Sequence, residues 1–171
     1  MDVLKHLHDE YNTKGIVFLA HQACEDPKLL KTLFDIYQWG DKIMQRRAAW
    51  ALGHAAEIKP ELFKKYFPLL IQQLNKADQH QSLYRCAFKC MKEIKVPEKY
   101  VSIVFDLSLR YLSSELYEAA VRAFAITVAA NCAKPYPELA GELKLVLNTI
   151  TQATHSAAIR VRIKKAIKYL G

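Results

Sequence analysis

Apolar residues recur at helical spacing along residues 41–58, where Ile43, Ala48, Ala51, Leu52, Ala55 and Ile58 form one stripe. Asp41 stands at its head, and its carboxylate can accept from the free N–H groups of a first turn, so the pattern predicts a helix opening there. Small residues crowd the stripe and allow a neighbouring helix to approach closely. Arg46, Arg47 and His54 lie off it.

The pattern returns along the chain, punctuated by proline. Pro27-Lys-Leu-Leu, Pro60-Glu-Leu-Phe, Pro97-Glu-Lys-Tyr and Pro137-Glu-Leu-Ala each open an amphipathic run, at spacings of 33, 37 and 40 residues. Proline suits the first helical position, where its missing N–H is not needed, and a following glutamate favours the positive end of the helix dipole. Each run continues for about four turns, as in Leu62, Phe63, Tyr66, Phe67, Leu69, Leu70 and Leu74. A polar turn and a second helix follow, with an arginine near its start. Arg47-Ala-Ala-Trp, Arg85-Cys-Ala-Phe and Arg122-Ala-Phe-Ala align at spacings of 38 and 37, and Arg162-Ile-Lys-Lys follows 40 later. Tyr100-Val-Ser-Ile-Val-Phe105 carries β-type residues, but it sits just after a helix-opening proline and fits a helix as well. Two helices per unit at this period are the signature of an α-solenoid. The units run 27–59, 60–96, 97–136 and 137–171. Residues 1–26 form an N-terminal cap, with a short helix near Val3–Tyr11 and a second, capped by Asn12-Thr13, to about Cys24.

Arg46-Arg-Ala-Ala-Trp-Ala-Leu-Gly53 resembles the second-helix consensus of HEAT repeats, in the variant found in phycobilisome-lyase-type HEAT proteins. The later units keep the arginine and small residues and lose the Leu-Gly ending. The resemblance implies an all-α fold, a right-handed α–α superhelix of about four HEAT-like hairpins plus the N-terminal cap, in one domain. It also implies that the arginine-bearing helices (41–58, about 80–94, 114–133 and 156–170) line a concave face on which a macromolecular partner binds.

Size and composition leave that picture standing. A chain of 171 residues that is 51% hydrophobic and 25% charged suits one globular domain. No apolar run reaches the roughly 18 residues of a membrane span, and Met1-Asp-Val-Leu-Lys-His-Leu-His8 is too polar for a signal peptide, so the chain reads as soluble and cytoplasmic with no membrane partner. The net charge of +8 is uneven, because residues 143–171 hold six basic residues and no acid. Cys24, Cys86, Cys90 and Cys132 show no disulfide spacing and read as buried reduced thiols.

Three features carry candidate chemistry. Arg47, Arg85 and Arg122 are either a ladder facing an acidic ligand or fixed braces to carboxylates and helix-end carbonyls of adjacent repeats. Trp50 and Phe88 occupy equivalent positions, Trp50 near Arg46, Arg47 and His54; an aromatic beside arginines binds a peptide or a stacked base, and otherwise packs under the next helix. These seven residues are the candidate partner-binding groove. The C-terminal helix buries Ile159, Ile163, Ala166, Ile167 and Leu170 and presents a basic patch of Arg160, Arg162, Lys164, Lys165 and Lys168, either a contact for nucleic acid or an acidic partner, or a polar cap on the open end.

Scattered histidines, only five glycines and the lack of a nucleophile elbow argue against a hydrolase, kinase or dehydrogenase, and no cofactor or metal is expected. The reading is a non-enzymatic scaffold for a protein or peptide. Nucleic-acid binding is the alternative, including a HEAT-like glycosylase for alkylated bases, to whose sequence Gln45-Arg-Arg-Ala-Ala49 is similar. Those enzymes pair tryptophans with a catalytic aspartate; Trp39, Asp41 and Trp50 are the candidates here, Asp41 reads better as a helix cap, and the paired tryptophans are missing. A bilin lyase is a third reading, with no residue signalling a tetrapyrrole site.

Overall fold

The computed structural model describes residues 2–171, and among them every regular element is helical. Helices α1 (Val3–Asp9) and α2 (Thr13–Glu25) come first, followed by α3 (Pro27–Trp39) and α4 (Lys42–Ile58). A 3-10 stretch, Pro60–Tyr66, leads into α5 (Phe67–Leu74), and α6 (Gln81–Lys92) follows. A short 3-10 turn, Glu98–Tyr100, leads into α7 (Val101–Ser113), and α8 (Ala119–Ala133), α9 (Pro137–Ala153) and α10 (Ala157–Leu170) complete the chain.

The helix starts obey local chemistry. The Asp41 carboxylate accepts from the N–H groups of Ile43 and Met44 at 2.9 and 3.0 Å. Asn12 accepts from Gly15 N at 3.0 Å and Asp26 from Lys28 N at 2.8 Å. Pro27 and Pro137 open α3 and α9 at their first position. The run from Pro60 departs from the expected single helix. Pro68 has no N–H for the carbonyl one turn back and its ring crowds that carbonyl, so the chain runs as 3-10 to Tyr66 and restarts as α5. The second helix expected over 114–133 begins only at Ala119, because Ser114 Oγ accepts from Leu116 N and Tyr117 packs on Tyr111 with ring centroids 4.2 Å apart.

The chain divides into two units, one ending at Ile94 and the other spanning Lys95–Gly171. In the first, α4 is the central helix and packs against α1, α2, α3 and α6. Ala48, Ala51, Leu52 and Ala55 are fully buried and meet Leu19, Ala20 and Ala23 of α2 and Leu33, Phe34 and Tyr37 of α3 in one core. The small side chains let these helices close up, and a larger residue at Ala51 would force them apart. The ends of the sequence stripe do not join this core: Ile43 is 57% and Ile58 36% exposed. Phe34 stacks on Tyr66 at 3.7 Å, and the buried Tyr37 hydroxyl donates to Leu83 O at 2.8 Å, tying α3 to α6.

In the second unit α8 takes the central place, against α7, α9 and α10. Val121, Ala125, Ile126, Val128 and Ala129 of α8 are buried with Phe105 and Leu112 of α7, Leu143 and Leu147 of α9, and Ile159 and Ile163 of α10. Each large side chain so buried contributes about 1.5–3 kcal/mol. No helix among the described residues is long and apolar enough to cross a membrane.

Candidate partner-binding surface

Arg46, Trp50 and His54 stand four residues apart and share one line of α4. Arg46 is exposed, whereas Trp50 and His54 are half-buried. The Trp50 ring meets Tyr11 edge-on at 5.4 Å and lies 6.3 Å from His54. Arg47 holds this arrangement from the side. Its Nη1 donates to Leu7 O at 2.9 Å and to His8 O at 3.4 Å, and its guanidinium sits 4.4 Å over the Tyr11 ring. It thereby satisfies carbonyls at the C-terminal end of α1 that no intrahelical N–H reaches, and fixes Tyr11 against Trp50.

Helix α6 runs beside this line. A Cβ added at Gly53 would lie 3.1 Å from Lys89 Cδ, so glycine allows Lys89 to cross α4 closely. Lys89 Nζ pairs with Glu57 at 3.0 Å, and His54 Nδ1 is 3.6 Å from the same carboxylate oxygen. Partial burial, and then the Lys89 charge, depress the His54 pKa against the opposing pull of Glu57. Arg85 stands one turn before Lys89 on α6. Arg46 and Arg85 are exposed and carry no ion pair among the described residues.

The groove expected from the sequence is narrower in the structure. Phe88 is fully buried, because α6 is enclosed around most of its circumference: Leu83, Tyr84, Cys86, Ala87, Cys90 and Met91 are buried with it. Arg122 is only 7% exposed and its Nε donates to Leu112 O at 3.1 Å, at the C-terminal end of α7. Phe88 and Arg122 therefore leave the exposed surface, and the three aligned arginines form no ladder. Arg47 and Arg122 brace helix ends, and Arg85 faces solvent.

On α10, Arg160, Lys164 and Lys168 form one exposed line with Lys165 beside it. Arg160 turns back to His155 O at 3.4 Å, and Arg162 is half-buried with Nη1 3.3 Å from Thr127 Oγ1 of α8. Ile167 and Leu170 stay half-buried rather than joining Ile159, Ile163 and Ala166 in the core. Lys134 and Lys144 reach the carbonyls of Tyr169 and Gly171, where the helix dipole favours cations. Asp41 spends its carboxylate on the start of α4, and Trp39 is 71% exposed with Lys76 over its ring. The four cysteines are free and buried; Cys86 and Cys90 lie 4.0 Å apart, and burial pushes Cys132 up to about 12.

Two clefts in the second unit escaped the sequence reading. One, of about 590 Å³ between α7 and α9, has Phe105 in its wall and Glu98, Asp106, Glu138 and Glu142 around it, none of them ion-paired among the described residues. The Pro-Glu openings at 97 and 137 were the available signal, since they place Glu98 and Glu138 at the starts of the two flanking segments. The other, of about 350 Å³, is lined by Arg122 and the second half of α9.

Helical hairpins, each unit organised on an arginine-bearing central helix, define a helical-repeat scaffold. The model for the HEAT repeat domain matches residues 3–170, so the chain belongs to the HEAT repeat family. Nothing among curated proteins or solved structures matches it significantly. Repeats of this kind build surfaces for protein interaction.

Proposed function

We propose that this HEAT repeat protein is a non-enzymatic adaptor that binds an acidic protein segment across α4 and α6, with Arg46, Trp50, His54 and Arg85 as the contact residues. The observation that carries this reading is Trp50. It is half-buried, met edge-on by Tyr11 and one turn after the exposed Arg46, while α6, packed on α4, carries the exposed Arg85; neither arginine is ion-paired among the described residues. A rigid aromatic beside unpaired cations is the composition of interface hot spots. Arg47 serves as the brace behind that surface.

The test is a selection of random displayed peptides against the full chain, followed by titration of the enriched sequences at low and physiological salt. Acidic peptides should emerge and should change Trp50 fluorescence in a Trp39→Phe background. The double variant Arg46→Glu, Arg85→Glu should weaken binding by tenfold or more, at about 1.4 kcal/mol per factor of ten. Peptides without acidic character, or peptides indifferent to the double variant, would remove the proposal. Parallel titrations with single- and double-stranded DNA and RNA decide the alternative. Salt-steep binding lost on charge reversal of Lys164 and Lys168 would move the working surface to α10.

A further inference from the structure

We propose that the cleft lined by Arg122 in the second unit is a binding site for a small monocarboxylate. Four polar or charged residues are buried among those described, and two of them, Arg122 and Thr154, line this one cleft. Arg122 spends only its Nε, on Leu112 O at 3.1 Å. Its two amino nitrogens make no hydrogen bond to a protein acceptor among the described residues, and they keep contact with solvent through the cleft. Glu115 belongs to the same lining but makes no ion pair with it. A guanidinium that is largely withdrawn from water and left without an anion is unfavourable, and a ligand carboxylate completes it with two parallel N–H···O bonds.

Thr154 supplies the second contact. It lines the cleft, and its Oγ1 accepts from Ser156 N at 3.2 Å, which leaves the hydroxyl hydrogen uncommitted as a donor. Thr149 has already given its hydroxyl to Leu145 O at 3.2 Å and adds no donor. Val146, Ile150 and Ala153 form an apolar wall for an aliphatic body. The volume of about 350 Å³ limits that body to a short chain. The Glu115 charge repels a dianion more than a monoanion, which favours a carboxylate over phosphate. This site lies in a different unit from the α4–α6 surface and stands or falls independently of it.

The experiment is a backbone amide NMR titration of the full chain with sodium butyrate, with 1-butanol and inorganic phosphate as parallel probes at constant ionic strength. Butyrate should give saturable shifts confined to residues near Ser113–Arg122 and Val146–Thr154. Thr154→Val should weaken it by roughly tenfold, the scale of one hydrogen bond to a charged group. Arg122→Gln should abolish it, and Glu115→Gln should raise phosphate affinity while leaving the fold intact. If Arg122→Gln does not fold, the Thr154 and Glu115 variants still decide. No saturable shifts at these residues, equal binding of the alcohol, tighter binding of phosphate, or an unchanged affinity in Thr154→Val would overturn the assignment.

Discussion

Arg47 and Arg85 differ by what lies across from them rather than by their own sequence. Arg47 holds the end of α1 and the Tyr11 ring, so Arg47→Met should destabilise the first unit by about 1–3 kcal/mol and speed amide exchange in α1 first. Chemical denaturation together with hydrogen exchange measures both effects; an unchanged midpoint would contradict the brace. His54 gives the residue-scale pH dependence. Its folded pKa lies below the ordinary 6.5, so between that lowered value and pH 6.5 the unfolded chain binds more protons than the native one. Native stability therefore falls as the pH drops through that window and is unaffected by this group above it. In His54→Gln the acid-side slope of denaturation midpoint against pH should become shallower than in the parent protein.

At the scale of the element, caps and glycines set where helices begin and how closely they pass. Gly15 lies in the first turn of α2 beneath α1, and a Cβ there would meet Glu10 O at 2.2 Å. Gly141 lies in α9 with nothing within 4 Å of such a Cβ. Gly15→Ala should therefore cost about 1–3 kcal/mol as overpacking against backbone. Gly141→Ala should add about 0.5–1 kcal/mol by restricting the unfolded chain and supporting the helix. Opposite shifts in melting temperature for one and the same substitution are the measured outcome, and shifts of the same sign would contradict this account. The 3-10 entry to α5 belongs to this scale too: Pro68 was present in the apolar run that the periodicity assigned to one helix, and periodicity does not register a missing N–H.

At the scale of the molecule, charge and thiols are distributed by unit. The stretch through Ile94 carries 14 basic and 11 acidic residues, and Lys95–Gly171 carries 11 and six. All four thiols are buried, Cys24, Cys86 and Cys90 in the first unit and Cys132 in the second. Burial raises the pKa of Cys24, Cys90 and Cys132, which suppresses the thiolate that reacts. The native chain at pH 8 should resist an aromatic disulfide reagent for as long as it stays folded, and all four thiols should titrate at once in denaturant. Mass-resolved labelling of Cys132 against the other three then reads the opening of each unit separately. Prompt native labelling would contradict the burial.

The all-helical repeat and most helix starts were determined by the sequence itself, because each depends on neighbours within a turn or two: Asp41 on the N–H groups of Ile43 and Met44, Pro27 and Pro137 on the first helical position, and the stripe of α4 on its own periodicity. The candidate surface was legible only in part. Trp50 and Phe88 occupy equivalent repeat positions, and so do Arg47, Arg85 and Arg122, yet one aromatic stays at the surface and the other is core, and one arginine faces solvent while two hold helix ends. Tertiary structure alone decided these differences, since exposure and hydrogen-bond partners are set by the element packed opposite, and that element lies tens of residues away in the chain.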